Sequence, residues 1–167
     1  MFFDAKKLRI VEAKKKHAYA LTVLTRRFFP YVNFSFETIT ERLATNSVKY
    51  LVAEYDGHTV GFADVEFTEA GQANISTTFH HEQSKEKIAK ILGLAVVPEF
   101  QGQGIGTMLL KKLLSKAKKK ASKAFMLVAE DNHGAQQIYY DNGFEKQGIL
   151  ERELGGKKIL LLKREFS

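Results

Sequence analysis

The stretch Leu94–Thr107, LAVVPEFQGQGIGT, holds the residues best suited to chemistry. An apolar run leads into a turn with glycine at 102, 104 and 106, and an apolar-periodic segment follows. Such a turn presents backbone N–H groups and a helix N-terminus to a phosphate. Gly102 and Gly104 can take dihedrals closed to other residues and let an anion approach the backbone, while Gly106 allows a helix to pack closely on a strand. A glycine-rich strand–helix turn without a ligand has the same composition, so this stretch alone leaves both readings open.

To work, the turn needs a strand before it and a helix after it. Ile88–Val97 reads as a mostly apolar strand buried on both faces. Gly104–Ala121 reads as a helix whose Leu109, Leu110, Leu113, Leu114, Ala117 and Ala121 form the buried stripe. Thr107–Lys123 carries seven lysines, at 111, 112, 116, 118, 119, 120 and 123, and no acid. The formal net charge is +7, so the rest of the chain is balanced. The plain reading of this helix is a solvated basic face; attraction of a polyanionic cofactor is the functional one. Nucleic-acid contact is disfavoured, because the helix has no aromatic residue for base stacking.

Before the turn, Leu8–Ala13 reads as a strand and Lys14–Phe29 as a helix ended by Pro30. Ser35 reads as the N-cap of a short helix through Ala44. Val48–Tyr55 and Thr59–Thr68 are strand-like around an Asp56-Gly57 hairpin turn. Gly71–Lys85 is polar and unassigned. After the basic helix come a strand at Ala124–Ala129 and a helix from the Asn132 cap to Asn142, with Gly143 past its end. Two strands, Phe144–Leu154 and Lys157–Arg164, meet at Gly155-Gly156. The order implies an α/β chain with a mixed sheet, and the length implies one domain over 1–167. The chain has no cysteine, which excludes disulfides, Cys-based zinc sites and thiol nucleophiles. No apolar run is long enough to span a membrane, and the start MFFDAKKLRI is too short and charged for a signal peptide. The expected location is cytoplasmic.

Two segments together resemble the GNAT superfamily of acyl-coenzyme-A-dependent N-acyltransferases. One is Gln/Arg-x-x-Gly-x-Gly/Ala, matched by Gln101, Gly104 and Gly106 after Leu94-Ala95-Val96 and Pro98. The other is Asn-x-x-Ala-x-x-x-Tyr-x-x-x-Gly-Phe, matched by Asn132, Ala135, Tyr139, Gly143 and Phe144. The match covers residues 88–144. The resemblance implies a mixed sheet of about seven strands, splayed between the fourth and fifth, with about four flanking helices. It implies acetyl-coenzyme A as acyl donor, its pantetheine held by the backbone of Leu94, Ala95 and Val96. Its pyrophosphate would sit at Gln101, Gly102, Gln103, Gly104, Ile105, Gly106 and Thr107, and Asn132 and Ala135 would lie beside the cofactor. The family role of Tyr139 is to protonate the departing thiolate; its bland role is a packed tyrosine. Asn132 is also accounted for by its cap alone.

An attacking amine must first lose a proton. Many members place Glu or His two or four residues before the Leu-Ala-Val run, where this chain has Leu92 and Lys90. Others place Glu five residues before the motif Asn, where it has Leu127. Glu130, Asp131, His80, His81 and Glu82 are substitutes, as is a water chain to backbone carbonyls. The histidines lack metal-site spacing, so no metal is expected. Phe28, Phe29, Tyr31, Phe34 and Phe36 crowd the junction that lines the acceptor channel in the family, though core packing suffices for most. Glu37 and Glu41 could attract a cationic amine. The leading expectation is direct acetyl transfer to a primary amine of a small molecule, peptide or protein, with the oxyanion on a backbone N–H near Val96. A non-catalytic acyl-coenzyme-A-binding regulatory module of the same fold is the alternative. A homodimer through the C-terminal strands is the remaining expectation.

Overall fold

The computed structural model describes residues 2–32, 34–69 and 85–167. Seven strands form one sheet in the order β1-β2-β3-β4-β5-β7-β6. Chain contacts divide the molecule into two compact units, residues 1–65 with 93–113 and residues 66–92 with 114–167.

In the first unit, β1 (Leu8–Glu12) runs antiparallel to β2 (Val48–Tyr55), from Leu8 opposite Tyr55 to Glu12 opposite Leu51. The Asp56-Gly57 turn leads into β3 (His58–Glu69), with φ of 50° and 83° as a tight hairpin requires. Helix α1 spans Ala18–Phe28 and α2 spans Phe36–Thr45. The expected helix start at Lys14 is corrected to Ala18: Lys15–His17 make a 3-10 turn, and buried His17 accepts the Lys14 N–H through Nδ1 at 2.8 Å. That bond closes the entry turn before the α-helical ladder begins. Ser35 caps α2 as expected, accepting the Thr38 N–H at 3.1 Å. Leu21, Ile39, Leu51, Val52, Phe62 and Leu109 form the buried interior of this unit.

Strand β4 spans Lys87–Val96. The expectation of burial on both faces is corrected, because Lys90, Leu92, Leu94 and Val96 stay partly exposed while Ile91, Gly93 and Ala95 are buried. Helix α3 spans Ile105–Ala117 and ends four residues before the expected Ala121. Bonds from Lys119 N to Lys116 O and from Lys120 N to Ala117 O tighten the end to i→i+3 spacing. The successive lysines have no acid one turn away to prolong the helix.

In the second unit, β4 pairs in parallel with β5 (Lys123–Ala129) only from Ile88 opposite Lys123 to Ile91 opposite Met126. The ladder ends there, although both strands continue. β5 pairs along its whole length with β7 (Ile159–Glu165), which also carries β6 (Glu145–Ile149). The expected strand to Leu154 is cut short at Ile149, because Glu151, Arg152 and Glu153 are exposed charges with no strand to serve. Around Gly155-Gly156 a single Leu154–Lys157 bridge remains. Helix α4 spans His133–Asp141. Ile88, Phe125 and Leu161 form a buried cluster with Leu150 against it.

Candidate active site

The glycine turn is built by backbone conformation. Gly102 and Gly104 have φ of 80° and 81°, and a Cβ on either would meet nothing within 4 Å. Glycine is therefore needed there for its dihedrals and not for want of space. The first bond of α3 runs from Met108 N to Gly104 O at 3.0 Å. The amides of Ile105, Gly106 and Thr107 thus precede the ladder and have no intrahelical acceptor. No acid lies in this first turn, so the positive end of the helix dipole is uncompensated there. Buried Ile105, Leu109 and Leu113 anchor the helix beneath the turn. Gln101 donates Nε2 to Val96 O at 2.9 Å, tying the turn to the end of β4. Gln101 and Gln103 are exposed, and Leu94, Val96, Gly106 and Thr107 are half-buried. Of the helix lysines, Lys112 donates to Ile10 O at 2.8 Å, and Lys111, Lys118 and Lys119 are exposed.

In the second unit, α4 carries the other motif. Asn132 Oδ1 accepts the Ala135 N–H at 3.2 Å, so its capping role is met. Tyr139 is 5 % exposed, with its ring edge-on to buried Phe144 at 6.3 Å between centroids. Tyr140 is exposed, as its position around the helix requires. Gln136 is a residue that motif reading passed over. It is buried and donates Nε2 to Ala129 O at 3.0 Å and Glu130 O at 2.8 Å, fastening the end of β5 to α4. Its signal was a polar side chain three residues before Tyr139, on the same helix face.

The usual base positions are filled by groups unable to take a proton. Lys90 pairs with Glu66 at 3.7 Å, Leu92 is half-buried, and Leu127 is 45 % exposed. Of the substitutes, Glu130 is exposed and Asp131 pairs with Lys157 at 3.1 Å near solvent. His80, His81 and Glu82 lie outside the described residues. Among the described residues, no group of three or more His, Asp or Glu side chains could hold a metal.

A carboxylate that motif reading missed lies in the first unit. Asp64, on β3, is only 4 % exposed, and its Oδ1 has no hydrogen-bond partner. Burial pushes its carboxyl up to about 7, and Arg42, the Gly93 backbone N–H and the Tyr50 hydroxyl draw it only partly back. Burial and the Asp64 charge in turn push Tyr50 up to about 12. Arg42 Nη1 donates to the Tyr50 hydroxyl at 3.2 Å. The sequence signal was an acid inside the otherwise apolar run Val60–Val65. By contrast Glu54, bonded to His17, is held below the ordinary carboxylate range.

The aromatic junction divides by role. Phe29 sits edge-on to Phe62 at 6.2 Å and to Tyr31 at 6.3 Å. Arg42 stacks over Phe34 at 4.0 Å and Arg27 over Phe28 at 5.4 Å. Tyr31 and Phe36 are exposed, as are Glu37 and Glu41.

The family model for the acetyltransferase (GNAT) family matches residues 18–144. An uncharacterized N-acetyltransferase of Archaeoglobus fulgidus is 36% identical over 107 residues, 64% of this chain and 63% of that protein. An uncharacterized N-acetyltransferase of Methanocaldococcus jannaschii is 32% identical over 103 residues, 61% of this chain. The match spans 41% of that relative, so the chain covers less than two thirds of either protein's length. Among solved structures, Arabidopsis thaliana NAA60 in complex with acetyl-CoA superposes with a TM-score of 0.80 at 17% identity, covering 95% of this chain and 98% of that one. The ribosomal-protein-S18-alanine N-acetyltransferase of Escherichia coli superposes with a TM-score of 0.70 at 18% identity, over 96% and 94%. The likeness extends over nearly the whole sheet, and the family match takes in both motifs: the chain belongs to the acetyltransferase (GNAT) family.

Proposed function

We propose that this protein moves an acetyl group from acetyl-coenzyme A directly to a primary amine of a small molecule, peptide or protein. The observation that carries the reading is the start of α3, where amides after two positive-φ glycines have no intrahelical acceptor and the first turn holds no acid. In this reading the pyrophosphate lies on the amides of Gly102–Thr107, and Leu94, Ala95 and Val96 hold the pantetheine by backbone bonds. The amine lone pair adds to the thioester carbonyl, and a backbone N–H near Val96 carries the oxyanion. Collapse breaks the C–S bond, Tyr139 gives its proton to the thiolate, and the proton shed by the new amide nitrogen restores the phenol. Asn132 and Ala135 flank the cofactor, Asn132 while still capping α4. No metal takes part. The chain acts as one domain in the cytoplasm, a location that its lack of cysteine suits.

The same fold could bind the acyl carrier without turnover, a reading favoured by the residues at 90, 92 and 127. Two measurements separate them. Acetyl-coenzyme A at 100 times its dissociation constant should raise unfolding stability by about 2.7 kcal/mol. Gly104→Glu should abolish that rise while leaving the variant folded, because its carboxylate would occupy the phosphate position. A folded Gly104→Glu protein that still binds would move the site elsewhere. Coenzyme A release over an amine panel, lost in Tyr139→Phe, supports the enzyme; binding with no release from any amine supports the regulatory module.

A further inference from the structure

We propose that Asp64 is the general base of acetyl transfer, taking the proton from the acceptor ammonium on its Oδ1, directly or across one water. The assignment rests on the acetyl-transfer reading above and supplies the group missing at 90, 92 and 127.

Three observations within the first unit carry it. Asp64 Oδ1 is buried and has no hydrogen-bond partner. An acid kept for structure has its acceptors filled, since an unfilled buried oxygen weakens the fold. The carboxylate also lies beside a polar pair: Arg42 donates to the Tyr50 hydroxyl at 3.2 Å, and both groups favour the ionised carboxylate. Third, the neighbour across the sheet is Gly93, the residue before the Leu94–Val96 segment assigned to pantetheine. A Cβ on Gly93 would stand 3.1 Å from Oδ1 and 3.1 Å from the Phe29 ring, so a side chain there would crowd this oxygen.

The groups facing the carboxyl are Arg42 from α2, Tyr50 from β2, the Gly93 N–H from β4 and the apolar Phe29 ring. Burial outweighs the cation, and a value near neutrality suits a base that must be ionised yet still basic at physiological pH. The step balances. The ammonium N–H bond breaks and its proton goes to Asp64 Oδ1. The freed lone pair forms the C–N bond, the C–S bond breaks, the thiolate takes the Tyr139 proton, and the second proton on the nitrogen passes to the Tyr139 phenolate. Asp64 then returns its proton to solvent.

The test compares wild type with Asp64→Asn, which keeps the shape and loses the basicity. The expected result is kcat/KM for the acceptor down about 100-fold, with acetyl-coenzyme A affinity within about twofold of wild type. The rising limb near pH 7 should vanish from the variant's pH profile. The deficit should shrink with an acceptor fluorinated beside its amine, which is already neutral at assay pH. A loss equal for all amines, or a wild-type rate and profile in Asp64→Asn, would overturn the base while leaving the transferase standing. Failure of the wild type to acetylate any amine would overturn both. Should Asp64→Asn not fold, the wild-type infrared band of a protonated carboxyl decides. It should titrate near pH 7 and respond to acceptor, and its absence at pH 6 overturns the assignment.

Discussion

The two compact units treat their polar groups differently. Among the described residues of the second, 66–92 with 114–167, no buried side-chain N or O atom lacks a hydrogen-bond partner. Asn132 caps α4, Gln136 fills two carbonyls at the end of β5, and β7 pairs with strands on both sides. The first, residues 1–65 with 93–113, holds the unpartnered buried atoms Thr40 Oγ1 and Asp64 Oδ1 and the start of α3, with no acid in its first turn. Each of these features weakens a fold when taken alone. A chain that meets its local rules in one unit and breaks them repeatedly in the other points to where function resides.

The comparison breaks most sharply at Asp64. Its folded value of about 7 lies above the ordinary 3.8. Between those values the native state holds a proton that the unfolded chain has released. The Asp64 contribution to stability therefore falls as pH rises from about 4 to 7 and is flat above. Asp64→Asn removes that slope, so its stability relative to wild type should climb across this window, by at most about 4 kcal/mol at 1.36 kcal/mol per pKa unit. Urea unfolding of both proteins at pH 4.5, 6 and 8 measures it. Equal slopes would mean that the carboxyl is ordinary and the first unit is no more frustrated than the second.

Two kinds of glycine within the first unit sharpen the contrast. A Cβ on Gly61 would lie 2.8 Å from the backbone Ala95 O, with Val96 Cγ2 at 3.3 Å and Leu109 Cδ1 at 3.4 Å. Backbone oxygen cannot turn aside, so Gly61→Ala should lower stability by about 2 kcal/mol, as overpacking usually does. Gly102→Ala meets open space and should cost about 1 kcal/mol through its dihedrals alone. Denaturant midpoints at constant m-value compare the two. The reverse ranking would mean that the strand relaxes around the extra carbon.

What could be read from sequence follows the same division. Gly102, Gly104, the Asp56-Gly57 hairpin and the Ser35 and Asn132 caps answer to constraints satisfied within a few residues, and each lies where its local chemistry requires. Gly61 and Gly93 answer to atoms on other strands or elements, so nothing near them in the chain announces their need for space. Asp64 is the extreme case. Its neighbours Arg42, Tyr50 and Gly93 come from three elements, and only the fold turns a lone acid into a buried one. Where local chemistry gave a graded signal, boundaries drifted. α3 stops short of Ala121, and β6 stops before its charged residues.

The smallest effect concerns a terminus that is already satisfied. Asn132 accepts the Ala135 N–H and is exposed, so Asn132→Ala removes one capping bond and little packing. The expected loss is about 1 kcal/mol, and Asn132→Asp should retain nearly all of the stability, because aspartate caps as well as asparagine does. The open start of α3 has no such bond to lose, since Gly104 stands at its N-cap with no side chain. Anion should therefore discriminate between the two helices. If acetyl-coenzyme A binds at α3 as proposed, it stabilises the wild-type fold there, and the same increment should persist in Asn132→Ala where that residue only caps. If the increment falls with Asn132→Ala and returns with Asn132→Asp, the cap also touches the cofactor and α4 joins α3 in binding it. Thermal unfolding of the three proteins with and without acetyl-coenzyme A separates these outcomes, since a cap shifts both curves alike and a ligand contact shifts only the one with ligand.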